Sequence, residues 1–380
     1  MNIIIFSKST WNVLNFRKNL IKEMIKNGWN VYVVAKADTS KSDLESIGCK
    51  IVPIKINNKS INPLNDLILF LKILKIYYSI KPNVTCHFNI KPVIYGSMAS
   101  RILKIPSINM ITGLGTAFLS KSWINGIVKL LYYLSLKKTS SVFFQNEDDK
   151  NLFLKNNLVP YSSVYKTPGS GIDLEYFQSA DYPKNKDIYF LLISRILWDK
   201  GIKEYVEAAR YIKLKYENIF FNLLGPIENE SNSEISLHQV KLWTDEGIIN
   251  YLGSVNDVRQ YIKDCHCVVL PSYREGTPKS LLEAAAMARP TIATNVVGCK
   301  EVVNDGQNGF LCENKNYISL AETMEKFISL SYHEKRKMGL KGREKVVEEF
   351  DEKIVINNYI ENIRKIIDYE SHEKTYNNAK

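Results

Sequence analysis

Two glutamates, Glu275 and Glu283, flank a loop and the start of a helix-forming segment. The apolar run 267–270 before them is typical of a buried strand end. Pro278 suits the first turn of a helix, because a missing N–H costs nothing there. The backbone N–H groups of Lys279, Ser280 and Leu281 would then point at the loop and favour a phosphate.

This spacing has a chemical interpretation and an ordinary one. A carboxylate accepts two hydrogen bonds from vicinal hydroxyls, so one glutamate could hold a ribose and the other a sugar. With a diphosphate at the helix start, the segment would bind a nucleotide sugar at three points. Two surface acids at a loop–helix junction are the alternative, and the spacing alone gives both about equal weight.

Basic residues follow another predicted strand, 189–193. Arg195 and Lys200 stand on the same loop at its carboxyl end. An arginine can hold a diphosphate through two hydrogen bonds, and a lysine can act as a point charge. Simple exposure to solvent is the alternative for both.

A second group of polar residues and glycines lies in the first half of the chain, near the ends of predicted strands at 3–6, 85–88 and 108–112. The ligand crevice of a parallel sheet lies beyond the carboxyl ends of its strands. His87 is a candidate general base or hydrogen-bond donor to a sugar, or else a structural histidine. The full set of candidates is Lys8, Arg17, His87, Asn89, Lys91, Gly113 and Gly115.

The elements that must position these residues alternate between strand and helix, which predicts parallel sheets covered on both faces. The 380 residues are enough for two domains. The cluster 168–171 of Pro, Gly and Ser predicts a linker. We therefore expect domains at 1–170 and 171–349, a last helix at 350–368 that packs back on the first domain, and a frayed tail at 369–380.

Targeting features and cysteine spacing bear on the compartment. No run of about eighteen apolar residues predicts a spanning helix, and the start lacks the pattern of a signal peptide. The six cysteines are irregularly placed and do not resemble a disulfide framework. These features favour the cytoplasm.

Charge is distributed unevenly along the chain. Residues 1–170 hold 23 Lys and Arg against 8 Asp and Glu, a net +15, whereas 171–380 hold 28 against 32, a net −4. The stretch from Leu67 to Asn146 has ten basic residues and no acid. Such a surface attracts anions, either nucleic acid or anionic lipid. The net charge of −4 on residues 171–380 argues against a nucleic-acid-binding protein.

A basic, aromatic segment runs from Phe118 to Leu136. Its composition is typical of a helix in a bilayer interface. A covering helix of the first domain is the alternative. Together with the acid-free stretch, the segment favours peripheral contact with an anionic membrane.

Several motifs in order resemble the signature region of family 4 glycosyltransferases, which are retaining enzymes of the GT-B fold. They are Glu275-Gly276-Thr277-Pro278-Lys279-Ser280-Leu281-Leu282-Glu283, Ala284, Arg289-Pro290, Gly298-Cys299-Lys300-Glu301 and Asn308-Gly309-Phe310. The set Lys91-Pro92, Tyr95-Gly96 and 112–116 resembles the acceptor half of bacterial surface-polysaccharide members. Gly171-Ile172-Asp173 with Phe177 resembles the family's junction motif.

The resemblance implies a fold and a separate binding role for each domain. The fold would be two Rossmann-like parallel-sheet domains facing a cleft, with the last helix crossing back onto the first. The second domain would bind the nucleotide sugar, and the first would bind the acceptor through Lys8, Arg17, Asn89, Lys91, Gly113 and Gly115. Arg195, Lys200 and Glu275, with His87, would form the catalytic set. The donor-binding residues would be Thr277, Pro278, Lys279, Ser280, Leu281, Glu283, Val255 and Asn256.

The resemblance also implies a reaction. A UDP-linked hexose or N-acetylhexosamine would donate its sugar to a polyprenyl-diphosphate-linked sugar at the inner membrane face, in the assembly of O-antigen, capsule or a similar glycan. The leaving phosphate would accept the acceptor's proton, so no protein base is demanded. No Asp-x-Asp motif occurs, so neither a metal nor a cofactor is expected.

Three rival interpretations remain open. An epimerase acting on UDP-N-acetylglucosamine with the same fold would need further acids and histidines in the cleft. A basic nucleic-acid binder would be hard to reconcile with the acidic second half. An inactive scaffold is disfavoured by the intact set of Arg195, Lys200, Glu275 and Glu283.

Overall fold

The computed structural model describes residues 1–56, 62–114, 123–227 and 234–378, without the side chains of 123–124 and 370–378. The chain forms two compact units. One consists of Met1–Ser170 with Lys353–Lys380, and the other of Gly171–Glu352. None of the helices in the described ranges has both the length and the hydropathy needed to cross a bilayer.

The first unit is built on a seven-stranded parallel sheet. Its strands are β1 (Asn2–Ser9), β2 (Asn30–Lys36), β3 (Lys50–Pro53), β4 (Val84–Phe88), β5 (Ser107–Ile111), β6 (Ser141–Phe144) and β7 (Val164–Lys166). They are arranged β3-β2-β1-β4-β5-β6-β7. The run from Ile3 to Phe6 is fully buried, as expected for a strand with both faces covered by helices.

Helices cover this sheet, and side-chain caps fix several of their starts. They are α1 (Thr10–Lys26), α2 (Lys41–Ser46), α3 (Pro63–Ile80), α4 (Ser97–Ile102), α5 (Trp123–Leu136) and α6 (Glu147–Lys155). A π-helical turn at Pro92–Gly96 leads into α4, and a 3₁₀ turn spans Tyr161–Ser163. Ser9, Asn62 and Asn146 cap α1, α3 and α6 by accepting backbone N–H bonds.

The last helix, Glu352–Asn378, packs in the core of the first unit. The ring of Tyr359 stacks 4.9 Å from that of Phe143, and Val355 and Ile363 are buried with it. The helix continues about ten residues beyond its predicted end at 368, through the segment expected to be a frayed tail. Glu and Lys residues in that segment are good helix formers, so a polar composition does not end the helix.

The second unit contains a six-stranded parallel sheet. Its strands are β8 (Ile188–Ile193), β9 (Ile219–Leu224), β10 (Asn250–Tyr251), β11 (Cys267–Leu270), β12 (Thr291–Thr294) and β13 (Gly309–Cys312). They are arranged β10-β9-β8-β11-β12-β13. The described helices are α7 (Ile202–Lys213), α8 (Leu237–Asp245), α9 (Arg259–Asp264), α10 (Lys279–Ala286), α11 (Cys299–Val302), α12 (Tyr317–Ser329) and α13 (Tyr332–Glu349), and the last helix of the chain becomes α14.

Each sheet has a point where the strand order reverses. In the first unit β1 lies between β2 and β4, and in the second β8 lies between β9 and β11. Ligands of open α/β sheets bind beyond the carboxyl ends of the strands at such a point. The loops after β1 and β4, and those after β8 and β11, are therefore where binding residues are expected.

Candidate active site

Lys200 and Glu275 meet at the switch point of the second sheet. Lys200 ends the 3₁₀ turn Trp198–Lys200 after β8, and Glu275 lies in the loop after β11. The Lys200 Nζ is 2.6 Å from the Glu275 Oε1, and the two side chains are only 14% and 16% exposed. A charge-assisted hydrogen bond of this kind is shorter and stronger than a neutral one. Folding thus joins two residues that the sequence separates widely.

The two loops are joined by backbone contacts as well. The Asp199 carbonyl accepts hydrogen bonds from the Tyr273 N–H at 2.9 Å and the Ser272 hydroxyl at 3.2 Å. Gly201 has a φ of +71°, and a Cβ there would come 2.0 Å from the Pro271 carbonyl oxygen. Only glycine permits this approach, so the residue after Lys200 is part of the site's construction.

A third loop, after β12, supports Glu275. The Glu275 N–H donates to the Val297 carbonyl at 3.0 Å. Gly298, at φ +90°, packs so closely that a Cβ would lie 2.5 Å from the Gly276 carbonyl oxygen. The Gly298 N–H donates to the Glu301 carboxylate at 2.7 Å. The Gly298–Glu301 part of the motif therefore holds the loop that carries Glu275.

Glu283 lies one turn inside α10 and is 7% exposed. Burial raises the pKa of its carboxyl, and the Lys279 ammonium, 3.6 Å from its Oε1, opposes that shift. A buried carboxylate needs hydrogen-bond donors to offset its desolvation. Two vicinal hydroxyls of a ribose would supply such donors.

The start of α10 offers backbone N–H groups beside Glu275. Pro278 precedes its first helical residue, and the first turn of an α-helix has no intrahelical acceptor for its N–H groups. Thr277 and Ser280 are half-buried, whereas the Leu281 side chain is in the core. Leu281 would therefore contact a diphosphate through its backbone, as would Lys279 and Ser280.

The remaining donor-side candidates lie on the loop that carries Lys200 and on the loop after β10. Arg195 follows β8 and is exposed. Val255 packs against the apolar core of the unit, and Asn256 beside it is exposed. Their predicted contacts with the diphosphate and the base stay predictions.

In the first unit, the strand ends also meet. Asn89, at φ +75° after β4, accepts hydrogen bonds from the Ser7 hydroxyl at 2.9 Å and the Lys8 N–H at 3.3 Å. Gly113, after β5, has a φ of +133° and open space where a side chain would stand. Lys8, Asn89 and Gly113 thus share one sheet edge, whereas Gly115 lies outside the described residues.

Lys91 forms an ion pair that sequence reasoning missed. Its Nζ is 2.5 Å from an oxygen of Asp66 on α3, and both side chains are 14% exposed. The other Asp66 oxygen accepts from the Tyr95 hydroxyl at 2.9 Å. The signal was present, because Asp66 is the last acid before the acid-free stretch. The charge of Lys91 is therefore partly compensated.

His87 does not face a crevice. Its side chain is fully buried, with Nε2 3.0 Å from the Tyr77 hydroxyl and Nδ1 2.9 Å from Asn109 Oδ1. Burial lowers its pKa to about 4, although its hydrogen bond to Asn109 opposes that shift. Gly96 packs closely against the imidazole, since a Cβ at this position would lie 2.7 Å from the ring. This placement argues against the predicted role of His87 in catalysis.

Arg17 is likewise in the core, only 4% exposed, so the expectation that it faces the crevice is wrong. Its guanidinium lies 4.2 Å over the Phe88 ring, and Nη2 is 2.8 Å from the Met110 sulfur. The reason is helical spacing. Position 17 shares the inward stripe of α1 with Val13 and Leu20.

Two family models match the chain. Residues 176–345 match the model described as glycosyl transferases group 1, and residues 3–146 match the model described as glycosyl transferase 4-like. The chain belongs to the group 1, family 4-like glycosyltransferases. It is an enzyme of the hexosyltransferase type, as the signature residues indicated.

Relatives of this glycosyltransferase cover nearly its whole length. The N,N'-diacetylbacillosaminyl-diphospho-undecaprenol alpha-1,3-N-acetylgalactosaminyltransferase of Campylobacter jejuni is 26% identical, over 97% of this chain and 99% of its own. The capsular polysaccharide biosynthesis glycosyltransferase CapM of Staphylococcus aureus is 24% identical, over 88% and 90%.

The fold is also that of solved glycosyltransferases. The crystal structure of Anabaena HepE in complex with UDP and glucose superimposes with a TM-score of 0.79 at 17% identity, covering 96% of this chain and 99% of HepE. Both sheets of the glycosyltransferase are parallel, with seven and six strands. The predicted GT-B fold is confirmed.

Proposed function

We propose that this glycosyltransferase moves a sugar, with retention, from a UDP-linked hexose or N-acetylhexosamine to a polyprenyl-diphosphate-linked sugar. The reaction would serve assembly of a surface glycan such as capsule or O-antigen. The observation that carries the donor half is the contact of Lys200 with Glu275 beside the start of α10. The names of the Campylobacter and Staphylococcus relatives support the acceptor class, and the UDP bound to HepE supports the nucleotide.

The chemistry follows from where charge develops. The anomeric C–O bond breaks, and negative charge grows on the departing β-phosphate. Fixed positive groups stabilise this transition state more than the ground state. Lys200 is fixed by Glu275, Arg195 stands on the same loop, and α10 begins four residues after Glu275. All three would be directed at the leaving group.

Retention places the incoming hydroxyl on the same face as the departing phosphate. The acceptor oxygen bonds to the anomeric carbon, and its proton passes to the phosphate oxygen that leaves. No protein base is required, in agreement with the burial of His87. Glu275 would bind hydroxyls of the donor sugar, and Glu283 those of the ribose.

The proposal extends to a membrane, because the first unit exposes an apolar stripe on α3. Leu64, Leu67, Ile68 and Leu71 are 50–71% exposed, and their spacing puts them on one face of the helix. Lys72 and Lys75 are exposed beside them. The inner face of α3 carries Asp66, which binds Lys91, so the stripe and the acceptor-side candidates belong to one helix.

Neighbouring helices extend this surface. Ile102 on α4 is 60% exposed, and Arg101 donates to the Leu134 carbonyl on α5 at 3.0 Å. On α5, Tyr132 is in the core, whereas Leu130 is exposed. The part of the predicted membrane segment at 118–122 lies outside the described residues. Asp66 is the one acid on these three helices, and it lies on the inner face of α3 in its pair with Lys91. The exposed side chains are thus apolar and basic, which suits anionic lipid.

The experiment that tests the function is a donor and acceptor panel. Purified protein is incubated with UDP- and GDP-sugars and with polyprenyl-diphosphate-linked monosaccharides, and the lipid fraction is analysed by mass spectrometry. Addition of one hexose or N-acetylhexosamine from a UDP-sugar is expected. Conversion of UDP-N-acetylglucosamine without an acceptor would instead identify an epimerase, and no turnover with any acceptor of this class would overturn the proposal.

A further inference from the structure

Tyr273 and Glu204 form a side-chain contact beside the Lys200–Glu275 pair. Tyr273 lies two residues before Glu275, in the loop after β11. Glu204 lies in the first turn of α7, immediately after Lys200 and Gly201. The Tyr273 hydroxyl donates to the Glu204 Oε1 at 2.8 Å. The contact therefore joins the loop that carries Glu275 to the helix that directly follows Lys200.

The surroundings of Tyr273 restrain it on several sides. Its N–H donates to the Asp199 carbonyl at 2.9 Å, and the Lys315 ammonium lies 4.7 Å from its ring centre. Burial raises the pKa of the Tyr273 phenol, and the hydrogen bond to Glu204 adds to that shift. The hydroxyl thus stays protonated at neutral pH and serves as a donor.

The Glu204 side chain would be unfavourable for stability if its only role were to fill space. Its Oε2 is buried and has no hydrogen-bond partner in the described part of the chain. A carboxylate oxygen left in this way destabilises the folded state, and an apolar side chain of similar size would avoid the cost. What the carboxylate provides here is its other oxygen, which fixes the Tyr273 hydroxyl.

We propose that Tyr273 and Glu204 are positioning residues that hold the Glu275 loop at the distance Lys200 requires. The Lys200 Nζ must point at the leaving phosphate while Glu275 meets the donor sugar, and loss of the contact would let the two loops move apart. The inference rests on the proposed donor site. A misplacement of about 1 Å at a reacting centre can cost a hundredfold in rate.

The test compares four variants. Tyr273→Phe removes only the hydroxyl, Glu204→Leu removes the acceptor, Glu204→Gln keeps an acceptor oxygen, and Tyr211→Phe is a control on the same helix. Turnover of the UDP-sugar, its KM, UDP affinity by calorimetry and the melting temperature are measured for each, and for the double variant Tyr273→Phe with Glu204→Leu.

We expect kcat to fall while UDP affinity stays nearly unchanged. Tyr273→Phe and Glu204→Leu should lower kcat by about tenfold or more, with UDP affinity within about threefold of the parent value. Glu204→Leu should melt no lower than the parent, and Glu204→Gln and Tyr211→Phe should keep most activity. The kcat of the double variant should fall no further than that of the more damaging single variant, because both substitutions remove the same interaction.

Wild-type kcat in Tyr273→Phe, or losses that multiply in the double variant, would overturn the inference. A fall in kcat that merely follows a lower melting temperature would also overturn it. These outcomes are separable from failure of the donor site itself. If the unmodified protein bound no UDP, the proposed function would fail, whereas normal UDP binding and turnover in Tyr273→Phe would remove only the positioning role.

Discussion

The Lys200 ammonium and the Glu275 carboxylate lie 2.6 Å apart, on loops that follow adjacent strands β8 and β11. The carboxylate fixes the ammonium and partly neutralises it. A donor sugar that engaged Glu275 through its hydroxyls would compete for the same oxygens. Binding of donor would thereby release positive charge toward the diphosphate.

Glu275→Gln should lower the rate of transfer without weakening UDP binding. The amide keeps the size of the side chain but loses the ion pair, so Lys200 is no longer held and a strong hydroxyl acceptor is lost. We expect kcat to fall by about two orders of magnitude, with UDP affinity changed by less than about threefold. Steady-state kinetics and calorimetry measure both. Glu217→Gln, an exposed glutamate of the same unit, is the control. An unchanged kcat would remove Glu275 from the reaction.

Glu283→Gln should weaken the binding of UDP. The amide accepts weaker hydrogen bonds than a carboxylate, so UDP affinity should fall about tenfold. The variant should melt at the same or a higher temperature, because a buried charge has been removed. Calorimetry and thermal unfolding test this. Parent-like UDP affinity in Glu283→Gln would show that the ribose lies elsewhere.

The stripe on α3 predicts binding to anionic vesicles. Leu67→Ser with Leu71→Ser should weaken co-sedimentation with phosphatidylglycerol vesicles by about tenfold per leucine. Lys72→Ala with Lys75→Ala should weaken it about fivefold per lysine. Leu214→Ser with Leu237→Ser removes leucines of the second unit that are at least as exposed and should have no effect.

Two results would contradict the membrane surface. One is equal binding of the α3 and control variants. The other is a dimer in sedimentation velocity that Leu67→Ser with Leu71→Ser converts to a monomer, since the stripe would then contact a second copy of the chain. Vesicles of phosphatidylcholine, which has no net charge, serve as the lipid control. The basic residues predict weaker binding to them than to phosphatidylglycerol.

The buried His87 predicts a pH dependence of stability. Its pKa is about 4 in the folded chain and 6.5 as the ordinary value, so between these values the unfolded state binds more protons. The free energy of unfolding should therefore fall as pH decreases from about 6.5 to 4, by up to about 3 kcal/mol from this residue. His87→Gln should flatten that part of the curve.

Denaturant unfolding at several pH values measures this effect. The burial of His266 lowers its pKa to about 4 as well, so a residual slope should remain in His87→Gln. A slope identical to that of the parent would mean that His87 is accessible to protons in the folded chain. Such a result would reopen its predicted catalytic role.

The fold was accessible from sequence because local patterns determine it. Apolar runs such as 3–6 and 267–270 predict buried strands, and the spacing of Val355, Tyr359 and Ile363 predicts an amphipathic last helix. Motif order then identified the family. Strand order is not a local property, however, so the meeting of Lys200 with Glu275 needed the structure.

Two candidates of the first half turn away from the crevice. A polar residue on a strand or helix that borders the crevice can face it or the apolar layer beneath, and sequence position does not distinguish the two. His87 turns inward to Tyr77 and Asn109, and Arg17 turns onto Phe88. Asn89, two residues beyond His87, lies past the strand and remains at the sheet edge.

The most direct test of the central claim is single-turnover transfer by Lys200→Ala, with Lys203→Ala as the control. Lys203 is an exposed lysine three residues away. The rate with a saturating UDP-sugar should fall by about two orders of magnitude in Lys200→Ala and stay unchanged in Lys203→Ala, while both bind UDP. A parent-like rate in Lys200→Ala would contradict stabilisation of the leaving diphosphate by this lysine.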